Sequence, residues 1–189
     1  MSLKLITAPA AEPVLLAEAK LHCRVDGTDD DALLTALIVA AREAAEHELG
    51  RALITQTWEK VLDAFPSAIR LPYPPCQAIV SVKYLDGDGI EQTLAAPSYQ
   101  LDSHSEPAWL VPAYGYGWPA TRAEPNAVRV QFRAGYGDAG SDVPEAICLW
   151  ILLQVGNWFR NREAASDLAL IKTPYVDRLL DRYRLYSLA

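Results

Sequence analysis

A chain of 189 residues with a formal net charge of -7 is long enough to bury roughly 70% of its unfolded surface, without metal or disulfide. Cys23, Cys76 and Cys148 show no ligand spacing and their odd number argues against a disulfide framework, so a reducing compartment is expected. Acidity opposes binding to phosphate backbones and argues against a sequence-specific DNA-binding role, and no apolar run approaches the ~18 residues of a membrane span.

No charged and apolar leader precedes Leu3, so no export signal is expected. Pro13 stands at a first helical turn, and Leu15, Leu16, Ala19, Cys23 and Val25 line one side of a short amphipathic helix that Asp26 and Gly27 break. The next helix, over residues 28–50, organises the chain. Thr28 is expected to cap it, with Asp29, Asp30 and Asp31 on the positive end of its dipole. Leu34, Leu37, Ile38, Ala41, Ala45 and Leu49 form its apolar stripe, and Gly50 supplies the C-cap. Ala40, Ala41, Ala44 and Ala45 make the second half nearly smooth, so a helix of the same chain or of a second copy can approach closely.

After Gly50 the period changes from helix to strand. Residues 55–62 and 68–71 read as strands, and the proline-rich 72–75 as an extended connection. Residues 79–84 and 91–94 flank Asp86, Gly87, Asp88 and Gly89, which carry hairpin chemistry. Residues 99–102 and 109–112 are further strands, and 113–126 is a loop rich in Gly, Pro and aromatic residues. Val128, Val130, Phe132 and Ala134 face one way and Arg129, Gln131 and Arg133 the other, the mark of a half-buried strand.

Pro144 opens a helix that is apolar almost all round, from Ile147 through Trp150 to Trp158 and Phe159, and so must be central or shared with a partner. Residues 161–172 read as a linker, and Thr173 and Pro174 restart a helix striped by Val176, Leu179, Leu180 and Tyr183. The expected fold class is α+β: a helical body formed by the N-terminal and C-terminal helices (1–54 and 135–189), with an antiparallel β lobe (55–134) inserted, as one compact unit.

Chemistry-bearing motifs are sparse. Gly135, Gly137 and Gly140 match G-x-G-x-x-G, but no parallel strand follows the next helix, and Asp138 and Asp142 would repel a pyrophosphate; a glycine-bearing turn is the better reading. Asp86 to Gly89 lacks the remaining acids of a calcium loop. His22, His47 and His104 have no nucleophile or carboxylate at motif spacing, so no catalytic residue, metal ligand or cofactor-binding residue is assigned. Trp109, Tyr114, Tyr116 and Trp118 form a candidate recognition loop for protein or glycan, against the alternative of a lobe core.

Three blocks carry a resemblance. They are Leu16, Glu18 to His22 and Arg24 to Asp26; Asp30, Asp31, Leu33, Leu34, Ile38, Ala40, Ala41 and Glu46 through Gly50, Arg51 and Leu53; and Ala134 to Asp138 with Val143, Pro144, Ala146, Ile147 and Asn161 to Glu163. On these the chain resembles the tailed-bacteriophage head-tail connector, or adaptor, family, including prophage and gene-transfer-agent members.

The resemblance implies a virion structural protein, not an enzyme, assembled in the host bacterial cytoplasm. About a dozen copies would form a ring beneath the capsid portal, extend the DNA channel without sequence-specific binding, and dock the tail or a stopper protein. No cofactor and no membrane is implied. Ala40, Ala41, Ala44, Ala45, Trp150 and Trp158 would then serve packing or subunit contacts, and Tyr183, Arg184 and Tyr186 a portal-facing arm. A monomeric recognition module using residues 109–118 is the alternative.

Overall fold

Strands form where β-branched and aromatic residues alternate with polar ones, and helices where small and aliphatic residues recur every three to four positions. The computed structural model describes residues 2–161, 176 and 178–185. Its chain divides into two units, Met1–Ala10 with Thr55–Tyr136, and Ala11–Ile54 with Gly137–Ala189.

The first unit is all antiparallel. Strands β1 (Ser2–Thr7), β2 (Gln56–Leu62), β3 (Ile69–Leu71), β4 (Cys76–Leu85), β5 (Glu91–Thr93), β6 (Tyr99–Asp102), β7 (Ala108–Pro112) and β8 (Val128–Ala134) form two sheets. The orders are β1-β2-β8-β4-β5 and β3-β7-β6. β8 is central: Val130 lies between Lys60 and Val82, and Phe132 between Trp58 and Ile79. Val128, Val130, Phe132 and Ala134 are fully buried, as the alternation predicts, together with Ile69, Leu71 and Leu110 of the second sheet. Each of these side chains larger than alanine contributes about 1.5–3 kcal/mol.

β1 was not expected, because residues 1–54 read as helical. It ladders along β2 from Ser2 opposite Val61 to Thr7 opposite Thr57, with a bulge between Leu5 and Thr7. Leu5 and Ile6 remain 40% and 42% exposed, so backbone pairing rather than burial holds this edge strand.

The second unit holds α1 (Leu16–Cys23), α2 (Asp31–Leu49) and α3 (Glu145–Arg160). α1 stops at Arg24 in the left-handed conformation. α2 does not begin as expected. Asp30 is the N-cap without a side-chain cap, Thr28 contributes its carbonyl to the Asp31 N–H at 3.1 Å, and the Asp31 carboxylate accepts from Lys20 Nζ at 2.6 Å. The C-cap is Gly50, at φ +67°.

α3 begins after Pro144, whose carbonyl takes the Ile147 N–H at 2.9 Å. α2 packs against α1 and α3. α3 buries Ile147, Trp150, Ile151 and Val155 as a stripe and leaves Leu149 exposed, so it is less evenly covered than its composition implies. The predicted linker from residue 162 and the helix restart at Thr173 and Pro174 lie outside the described residues.

Candidate functional site

The alanine face of α2 divides in two. Ala41 and Ala45 are fully buried on the stripe of Leu34, Ile38 and Leu49 and so pack inside the helical unit. Ala44 is half-buried and Ala40 exposed. On α3, Trp150 points inward and Trp158 is half-buried. The six residues grouped by sequence thus comprise three core positions and three with surface left to offer. Leu21, 81% exposed on α1, and Leu149 on α3 add apolar surface that helical spacing alone does not reveal.

A buried charge network, which sequence reasoning missed, backs this face. Arg42, only 6% exposed on α2, donates from Nε to Glu12 at 2.8 Å and from Nη1 to Glu46 at 2.8 Å. Glu46 also accepts the Leu53 N–H at 2.9 Å. Burial raises the Glu12 pKa, against the lowering effect of Arg42. The spacing of Arg42 and Glu46 signals their pair in sequence, but Glu12 is thirty residues away from Arg42.

Of the candidate arm, Tyr183 and Arg184 are described and Tyr186 is not. The described part is tied down within the helical unit. Arg51 Nε donates to the Tyr183 carbonyl at 2.5 Å, Arg184 Nη2 meets Glu48 at 3.1 Å, and the Leu185 N–H reaches the Leu49 carbonyl at 3.1 Å. Leu180 is fully buried beside them in sequence.

The four candidate aromatic residues of the β unit do not stack on one another. Trp109 stands on β7 between Arg70 and Asp102 in register. Trp118 stacks on Phe65, with centroids 4.7 Å apart and planes 7° apart, and Phe65 meets Tyr84 edge-on at 5.8 Å. Tyr114 is fully exposed and Tyr116 largely so, on a turn closed by the Tyr116 N–H to the Ala113 carbonyl at 2.9 Å. Gly115 takes the positive φ, +83°, that this turn needs. Of the four candidates, Trp109, Tyr114 and Tyr116 keep exposed aromatic surface, while Trp118 stacks on Phe65.

The other motifs prove structural. Gly135, at φ +134°, turns the chain after β8, and a Cβ at Gly137 would collide with the Asp142 side chain. The Asp86 carboxylate accepts the N–H groups of Asp88 and Ile90, both at 3.0 Å, and Gln92 Nε2 at 2.8 Å, which lowers its pKa. His22, His47 and His104 are exposed and far apart in sequence. His22 borders an open cleft of about 350 Å³ with Gln154, Asn157 and Arg160, whose described lining holds no carboxylate or nucleophile. Among the described residues no cluster suits a metal ion, and no helix is long and apolar enough to cross a membrane.

Fold and surfaces define a class: a two-unit α+β chain whose distinctive features are packing faces, a buried ion network and a projecting tyrosine tip. Residues 14–90 match the family of phage gp6-like head-tail connector proteins, a segment that contains the first two of the three blocks on which the resemblance was read. No curated protein matches the chain. Among solved structures, a chain from the neck of an empty gene transfer agent particle, computed with C6 symmetry, is similar with a TM-score of 0.83 and 23% identity, covering 100% of this chain and 98% of that one. Chains from the virion of the native gene transfer agent particle and from its neck computed with C12 symmetry are similar at TM-scores of 0.81 and 0.79, each with 24% identity and the same coverage. At such identities the structures establish the α+β fold.

Proposed function

We propose that this protein is a head-tail connector, a virion structural protein that assembles into a homo-oligomeric ring at the neck of a phage-like particle. The observation that carries the reading is the joint match: the connector family over residues 14–90 and neck chains over the full length. The C6 and C12 symmetries of those necks support a ring, with about a dozen copies as the finer expectation. Portal on one side and tail or stopper protein on the other are its proposed partners, after assembly in the bacterial cytoplasm.

The residues fit such a role physically. A ring closes through two different patches on each copy, and the exposed Ala40 and half-buried Ala44 and Trp158 are the proposed contributors. The net charge of -7 suits a channel through which DNA must pass without sticking, since attraction repeated around a ring would add up. Tyr183 and Arg184, with Tyr186, remain the proposed portal-facing segment. The recognition-module alternative loses ground, because Trp118 is spent on Phe65.

Native mass spectrometry across a concentration series, with and without the cognate portal protein, tests the ring. Closed species near a dozen copies are expected. A chain that stays monomeric at every concentration and on its portal would overturn the proposal.

A further inference from the structure

The polypeptide passes between the two units three times, at residues 10/11, 54/55 and 136/137. Within the helical unit, the residues next to these crossings are bound to one another. Beside the first, Glu12 takes Arg42 Nε at 2.8 Å. Beside the second, the Leu53 N–H is held at 2.9 Å by Glu46, which also receives Arg42 Nη1 at 2.8 Å. Beside the third, Gly137 bridges Ile54 in a parallel pair, and Gly140 lies so close to Pro13 that a Cβ there would stand 2.5 Å from the Pro13 carbonyl oxygen. The Cys148 thiol points at that same carbonyl, 3.6 Å away.

We infer that Arg42 is the keystone of a clamp, built within the helical unit, that holds together the chain segments next to all three crossings. Geometry makes arginine suited to the task. Its guanidinium presents several donors in a rigid fork and stays charged at all working pH values, whereas lysine offers one point charge. Burial strengthens each link and raises the cost of leaving any one unmade. Glu43, 3.5 Å from Arg42 Nη2 and largely exposed, adds charge from the same helix, so three carboxylates surround the one guanidinium. The clamp belongs to the single chain and operates in a monomer and in a ring alike.

Two local probes read it directly. The Leu53 amide reports the second crossing by hydrogen exchange, and the Cys148 thiol, burial of which pushes its pKa up to about 11, reports the first by alkylation. Arg42→Met is expected to speed both by at least tenfold, while Cys76 labelling and exchange in the middle of α3 stay at wild-type rates. Glu12→Ala, the milder variant, should speed Cys148 labelling alone, and Glu46→Ala should speed Leu53 exchange. Wild-type rates at both probes in Arg42→Met, or equal acceleration of Leu53, Cys148 and the α3 core in Glu12→Ala, would overturn the clamp. Neither outcome depends on whether rings form.

Discussion

Trp118 lies flat on Phe65, 53 positions earlier in the chain, and this one stack decides which aromatic residues of the loop are structural. Trp118→Ala should therefore destabilise the β unit by about 2 kcal/mol, a reduced value for a side chain that keeps some exposure. Tyr114→Ala, with its ring in solvent, should shift stability by less than about 0.5 kcal/mol. Thermal denaturation of the two variants reads the difference; equal losses would contradict the division.

Ala41 and Ala40 are neighbours in sequence with opposite surroundings. Ala41→Leu forces three extra heavy atoms into a filled core and should cost about 1–3 kcal/mol in chemical denaturation. Ala40→Leu should leave the lone chain's melting unchanged, yet shift the oligomer distribution in native mass spectrometry if α2 meets a second copy as proposed.

Gly140 and Gly117 make a similar contrast. Gly140→Ala would press a methyl group on the Pro13 backbone and should cost about 1–3 kcal/mol, whereas nothing lies within 4 Å of a Cβ at Gly117 and its replacement should be close to neutral. Paired denaturant titrations check both.

The Asp86 turn should respond to acid. Hydrogen bonds from Gln92, Ile90 and Asp88 favour its charged form and hold its pKa below the ordinary 3.8, so the stabilisation is complete above that value and is lost as pH falls through the depressed one. NMR should show the Asp86 carboxyl titrating below 3.8, with the Asp88 and Ile90 amide resonances moving along the same curve. In Gln92→Ala the midpoint should move up.

Much of the architecture is legible in the sequence because burial on one face imprints a period. Val128, Val130, Phe132 and Ala134 announce β8, and Leu34, Ile38, Ala41, Ala45 and Leu49 announce α2. β1 leaves no such imprint, since Leu5 and Ile6 are half in solvent and only the ladder to β2 defines it. The helix start at Thr28 failed for a related reason: Asp31 is engaged by Lys20, eleven residues earlier, and the chain solves the end of α2 through backbone instead of a hydroxyl. The candidate surface was legible in part. Sequence groups Ala40 with Ala41, and Trp118 with Tyr114, but which member turns inward depends on partners distant in the chain.

The order of strands across the large sheet has a consequence for how the protein is made. β8, flanked by β2 and β4, emerges from the ribosome after both and after more than a hundred residues have been added. Until then β2 and β4 lack their shared neighbour, and their inward-facing residues must wait, exposed, for Val128 to Ala134 to arrive. The nascent chain thus carries two open edges from the completion of β4 at Leu85 until β8 is complete at Ala134, which makes that interval the period when it is most exposed to pairing with the wrong strand.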